Sequence, residues 1–484
     1  MRREWLDGAA IAALLFLCSV WAFPRWADWN QNSRFDLVVA IVDHGTLSID
    51  CCVRNTGDYA IYEGHTYTDK APGLSFLAVP AYLLFEGLAS LPFAQESLTR
   101  LAEGNALRGT LREGGTGLLR EKIHFFLGLT VATWLLVALP SALGGALLYL
   151  FLARVTPRRA PRLAVTLAYA LATPAFPYAG NFYAHQLTAV LLFVGFVLAS
   201  RERNDDVAIA PTRLWAIGFL LGLAVLCEYP AAIAAMPIAL LALGRGRDTV
   251  TSLVWVAAGA LLPLSLGAVY HWTIFGTPLP VGYRYSALWQ EPHSQGFISL
   301  TYPRPSTLVS LAFGPFRGLF FLSPVLLFSI PGFFVLWQRG ELRAELAVSA
   351  AAVLGFLAFN ASSSMWWGGF AVGPRYLVPM LPFLAWPMVG VLSRPSASWV
   401  AALFAIAFAV SLLLVWGLSW AEQSFPPQSI AFPWRDWAWP HLSQGNLARN
   451  VGMVLGCGGW TSMLPLAAGV AAIAASWRWL DRRV

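Results

Sequence analysis

The stretch YEGHTYTDKAPG, residues 62–73, gathers His65, Asp69 and Lys70 beside a turn fixed by Pro72 and Gly73. Lysine is scarce here: Lys70 and Lys122 are the only two, and the other thirty basic residues are arginine. A lysine offers a compact point charge that suits a phosphate oxygen. Asp69 beside it stays ionised, able to accept a proton or hold a divalent cation. His65 either orients an acid or joins Asp69 at a metal, or is a solvated loop histidine. Asp50 and Asp58 lie just upstream; Asp58 follows Asn55-Thr56-Gly57, a turn that would aim a carboxylate inward. A second set lies far along the chain. Trp366 and Trp367, paired glycines and Gly373-Pro374-Arg375 describe a tight turn holding aromatic faces and one guanidinium together, suited to a sugar ring and a phosphate.

These residues must be positioned by membrane helices. The 484 residues are 57% hydrophobic and 12% charged, with mean hydropathy +0.60, against about 25% charged in a soluble domain. Apolar runs at 8–24, 123–152, 163–180, 185–200, 214–230, 231–243, 249–272, 319–337, 346–359, 376–392, 398–420 and 451–476 predict an all-α polytopic membrane protein with about 12 transmembrane helices. They lack the period-two alternation of a barrel. MRREWLDG enters a full-length apolar segment without a cleavage site.

Arginine clusters fall between alternate runs: RRE at the start, RVTPRRAPR, RER, GRGRD, QRGELR and, at the end, WRWLDRR. The positive-inside rule places them, and both termini, in the cytoplasm. The net charge of +7 thus reflects orientation in a cell membrane, not nucleic-acid binding. Residues 25–122 become one large extracytoplasmic loop holding twelve of the 25 acidic residues, and 123–484 a helical bundle in the same domain. Residues 74–90 are then an interfacial helix.

Several chemistries are excluded. Neither lysine lies in a P-loop, no Asp-x-Asp pair holds a nucleotide sugar, and GxSxG, HExxH and CxxC are missing. An outer-face enzyme has no nucleotide supply, so an activated substrate arrives on a lipid carrier. The five cysteines carry no metal spacing, and a bond between adjacent Cys51 and Cys52 would be strained.

The segments NSRFDLVVAIVDHGTLSID (32–50), NTGDYAIYEGHTYTDKAPG (55–73), FPYAGNFYAH (176–185), FGTP (275–278), PFRGLFFLSP (315–324) and WWGGFAVGPRYLVPMLPF (366–383) resemble the GT-C superfamily of polyprenyl-phosphate-dependent glycosyltransferases. That group includes aminoarabinose transferases and protein mannosyltransferases. The resemblance implies transfer of a sugar from a polyprenyl-phosphate-linked donor to an extracytoplasmic acceptor. It implies an acid at the start of the first outer loop and a basic residue before the Pro element, which Lys70 matches. The family's Asp-Glu before an Arg-aromatic pair is missing: Arg34-Phe35 follows Asn30, Gln31, Asn32 and Ser33. The acid then comes from Asp28, Asp50, Asp58 or Asp69, with Asp58 or Asp69 favoured as base. His185 stands where the family has a second acid, and a divalent metal is an open cofactor. Two other readings are a transporter or flippase of a lipid-linked sugar and a non-catalytic assembly subunit. A transporter wants ionisable residues at mid-span; here the spans are nearly charge-free.

Overall fold

The computed structural model describes residues 2–111, 118–200, 208–294, 299–393 and 398–483. The RER cluster and Glu113 lie outside them. Helix α1, Arg2–Val20, leads into α2, Trp29–His44. A two-stranded hairpin follows, β1 Ala60–Tyr62 and β2 His65–Tyr67, then α3, Gly73–Ala89, and α4, Pro92–Glu103.

The expected count of twelve spans is not confirmed. Six helices among the described residues are long and apolar enough to cross: Arg120–Arg154, Thr249–Phe275, Arg343–Ser362, Arg375–Leu392, Ser398–Trp420 and Gly459–Asp481. Four more apolar helices, Ala184–Ala199, Pro211–Cys227, Tyr229–Leu243 and Pro324–Arg339, have 10–17 residues. At 1.5 Å per residue, that is short of a ~30 Å hydrocarbon core. The apolar runs are interrupted where polar or Pro residues break the ladder; the run that includes 214–243 breaks at Glu228-Tyr229-Pro230. α3 and α4 together are apolar enough to span, yet the chain bends by 94° between them. The hairpin is also an addition to the all-α expectation.

α2 is buried although polar. Its first turns are knitted to the rest of the first loop by side chains. Asn32 Nδ2 donates to Trp26 O and Asn55 O (2.9 and 2.8 Å), Ser33 Oγ meets Thr68 Oγ1 at 2.7 Å, and Gln31 Oε1 accepts from Phe182 N at 2.7 Å. Buried polar groups are tolerated where they are bonded in this way. Phe35 turns into an aromatic cluster with Tyr82, Phe125 and Phe182, which seats α2 on α3 and the bundle.

The arginine clusters converge on one end of the bundle. Arg3 and Arg159 bridge Asp481, Arg158 and Arg339 reach Ser393, Arg154 and Arg213 reach Ser200, and Arg245 pairs Glu345. The first-loop residues, with 181–185 and Glu228, meet at a different place. The chain is a multi-pass membrane protein whose two charged regions are separate.

Candidate active site

The hairpin explains how an acid eleven residues from another comes to face it. Glu63 (φ 49°) and Gly64 (φ 81°) form a two-residue turn in the left-handed region, the backbone a tight hairpin requires. Ala60 pairs with Tyr67 and Tyr62 with His65. Continuing that register past the strands sets Asp58 opposite Asp69. Lys70 closes the gap: its Nζ lies 3.2 Å from Asp58 Oδ2 and 2.9 Å from Asp69 Oδ1. Lys70 is 8% exposed. Residues 283–289 complete the surround. Trp289 Nε1 donates to Asp58 Oδ1 (2.8 Å), Ser286 Oγ donates to Asp69 Oδ2 (3.2 Å), and the Tyr283 ring lies 6.0 Å from Nζ.

Burial by itself would raise the Asp58 carboxyl, but the Lys70 charge, the Trp289 hydrogen bond and Arg375 outweigh it and hold it below the usual range. Burial likewise disfavours the Lys70 charge, and Asp58 and Asp69 overturn that, so its ammonium persists far into alkaline pH.

Lys70 is fixed to the bundle by Gly73. A Cβ there would lie 2.7 Å from Cys227 N and Leu226 O, so only glycine lets the DKAPG turn sit on that helix end. The same helix end presents Glu228. Arg34 Nη2 bonds Glu228 Oε1 at 2.6 Å, and its Nη1 donates to Ala71 O at 3.0 Å. His185 Nδ1 lies 3.4 Å from the same carboxylate, while His185 Nε2 is buried without a hydrogen-bond partner.

Arg375 is the cation of a different kind. It is 9% exposed, packed over the rings of Tyr183 (5.6 Å) and Tyr376 (5.2 Å). Among the described residues no carboxylate lies within 4 Å of it, and its Nε is buried unbonded. Gly368, at φ +70°, lies beneath it; a Cβ there would meet Arg375 Cγ at 3.0 Å. Buried Arg317 holds that turn, donating to Trp367 O (3.1 Å), Ala371 O (2.7 Å) and Gly369 O (2.8 Å). Trp366 and Trp367 are half-buried on this turn, rings 6.3 Å apart and edge-on, with Trp367 Nε1 on Gln428 Oε1.

Asp28 completes the site. It caps α2 by accepting from Asn30 N (3.0 Å) and Gln31 N (3.3 Å) with Oδ1, and Tyr183 OH donates to its Oδ2 at 2.5 Å. Burial raises its pKa, against the pull of the Tyr183 bond and the Arg375 charge. Asp28 and Arg375 thus share Tyr183.

The structure therefore brings Asp58, Asp69 and Lys70 into one cluster, and joins Arg34 to His185 through Glu228. It does not bring Asp50 or His65 there. They pair with each other, His65 Nδ1 on Asp50 Oδ2 at 2.7 Å, with side chains 61% and 46% exposed, and Asp50 also accepts from Thr66 N. Sequence reasoning missed Glu228, Trp289, Ser286 and Tyr183. Glu228 had a signal: an acid interrupting an apolar run of about thirty residues.

No family model and no curated protein matches the chain. Solved structures do. ArnT from Cupriavidus metallidurans in the apo state superposes with a TM-score of 0.51 at 16% identity, covering 99% of this chain and 74% of that one. The Archaeoglobus fulgidus oligosaccharyltransferase in the apo form gives a TM-score of 0.42 at 12% identity, covering 85% of this chain and 55% of that one. The chain thus shares the fold of ArnT, in line with the fold the resemblance implies.

Proposed function

We propose that this chain is a membrane glycosyltransferase that moves a sugar from a polyprenyl-phosphate carrier to an acceptor hydroxyl on the extracytoplasmic face. The observation that carries the reading is Arg375: a buried guanidinium with no carboxylate within 4 Å among the described residues, sharing Tyr183 with Asp28. Unlike buried Arg317, whose guanidinium is taken up by backbone carbonyls, Arg375 has a buried Nε left unbonded, and the negative charge of a donor phosphate would suit it.

In the reaction the acceptor oxygen forms a bond to the sugar's anomeric carbon. The bond from that carbon to the phosphate oxygen breaks, and the phosphate leaves with the electron pair. Arg375 takes up the growing negative charge, helped by the third N–H of Lys70, whose other two face Asp58 and Asp69. The acceptor proton goes to Asp28. Two acids whose surroundings pull their pKa values apart take different roles. Asp28, raised by burial, is the better base near neutral pH. Asp58, held low, keeps Lys70 in place. The Asp69 and His65 pair offers no metal site: Asp69 bonds Lys70 and Ser286, and His65 bonds Asp50. No step here runs through a metal. The loop 25–122 as extracytoplasmic, α3 as interfacial and both termini as cytoplasmic belong to the same proposal, supported by the separation of the two charged regions.

The test is Arg375→Ala, purified in detergent and assayed with a panel of polyprenyl-phosphate sugars. Turnover should fall by about 10²–10³, the effect of losing one transition-state charge stabiliser, with the unfolding temperature retained. Wild-type turnover in this variant removes Arg375 from the reaction.

A further inference from the structure

Outside the cluster around Lys70, one group of side chains has the chemistry of a metal site. His44 is the last residue of α2, and Gly45, at φ 63°, ends the helix and turns the chain back. The returning segment bonds Ile49 N to Thr66 O (2.8 Å) and Cys52 N to Ile49 O (2.9 Å), which brings residues 51 and 52 beneath the helix end. One ring nitrogen of His44 and the sulfurs of Cys51 and Cys52 all lie within 4.8 Å of one another. Both thiols are free. His44 and Cys51 are exposed and Cys52 is buried, so an ion can enter from solvent and be held from below.

We infer that His44, Cys51 and Cys52 form a zinc site, with water as the fourth ligand. One imidazole and two thiolates suit this borderline-soft ion. Zn–S near 2.3 Å and Zn–N near 2.0 Å in a tetrahedron set ligand atoms roughly 3.4–3.8 Å apart, so side-chain rotation alone closes the group. Binding releases one proton from each thiol to solvent. The ion would join the end of α2 to the segment leading to Asp58. That segment is otherwise tied to α2 by Asn55, whose Nδ2 donates to Asp36 Oδ1 (2.8 Å) and whose carbonyl accepts from Asn32. The site is separate from the proposed transfer site and stands without it.

The experiment uses the full chain, reduced and purified in detergent, titrated with Co²⁺ and Zn²⁺. The wild type should develop a thiolate-to-cobalt charge-transfer band that saturates at one equivalent and is displaced by Zn²⁺. Cys51→Ser and His44→Ala, both at exposed positions that leave the fold intact, should each weaken Zn²⁺ retention at least about tenfold against a competing chelator. Three results overturn the proposal. One is no thiolate-cobalt band in the wild type. Another is equal retention in both variants. The third is isolated protein two hydrogens lighter from a Cys51–Cys52 disulfide that reduction does not convert to a zinc-binding form.

Discussion

Two charge clusters stand apart in this molecule, one partly exposed at the chain ends and one buried around Lys70, and they differ in how completely their cations are answered. Around the chain ends, Arg3 and Arg159 both bridge Asp481 (2.6 and 2.7 Å), Arg159 also pairs Asp7, and Arg162 pairs Glu4 at 3.0 Å. Asp7 takes further hydrogen bonds from Tyr149 and Trp477. Each of these three arginines has a carboxylate, and the effect is to fasten α1 to the helix at 159–171 and to the last helix. In the cluster around Lys70 the pairing is uneven. Lys70 has two acids, Arg34 has one, and Arg375 has none among the described residues. A balanced cluster holds helices together. An unbalanced one, buried and rigidly framed, is arranged for a charge that arrives from outside.

The comparison can be broken by substitutions that ought to act on stability, on turnover or on both. Lys70→Ala should do both and show the largest effect, because it leaves Asp58 and Asp69 buried side by side. We expect a loss of roughly 3–5 kcal/mol, read as a fall in unfolding temperature. The added change Asp58→Asn should recover part of it. A Lys70→Ala protein as stable as the wild type would mean the pair is not buried as described.

Asp28→Asn comes next. Turnover should drop at least about 10²-fold. The wild-type rate should rise with pH through a limb above the ordinary carboxylate range, since burial raises Asp28 and only its ionised form accepts a proton. In the variant that limb should vanish; if it persists, another group is the base.

Asp7→Asn should do the converse. Removing one charge from the balanced cluster leaves Arg159 less well paired, at a cost of about 1–3 kcal/mol, while turnover per folded molecule stays at the wild-type value. A selective loss of turnover would contradict the division between the two clusters.

The smallest effect belongs to Asp50→Asn. Burial pushes the Asp50 carboxyl up, but its Ser48, His65 and Thr66 bonds together outweigh that and hold it down to about 2. Its stabilisation is therefore present above the unfolded value of 3.8 and lost as pH falls toward 2. It is an exposed pair, so the change in stability should stay within about 0.5 kcal/mol at neutral pH. Transfer activity should be untouched. A large loss of turnover would return Asp50 to the site.

Much of the fold was legible from local features. Each apolar run contains helix, and the DKAPG element does begin α3 as Pro72 and Gly73 imply. The span count was not legible. Run length ignores where a proline or a lone acid such as Glu228 interrupts the ladder. The candidate site was half legible. Lys70 and Arg375 stood out by type and turn context, but the choice between Asp50, Asp58 and Asp69 had no local signal.

By itself, the sequence determined that this is a multi-pass membrane protein with arginine-rich connections and an acid-rich first loop. Hydropathy and charge placement act on each segment against its own surroundings, so they need no partner to be read. The tertiary structure decided which charges meet. Hairpin register, not spacing, set Asp58 against Asp69 across Lys70. A helix break nearly two hundred residues away brought Glu228 to Arg34, and the backward turn after α2 put His44 beside Cys51 and Cys52. Such pairings depend on chain crossings that no single segment encodes. That is why Arg375, alone in its turn by sequence, became the unpaired cation of a buried site only in the folded chain.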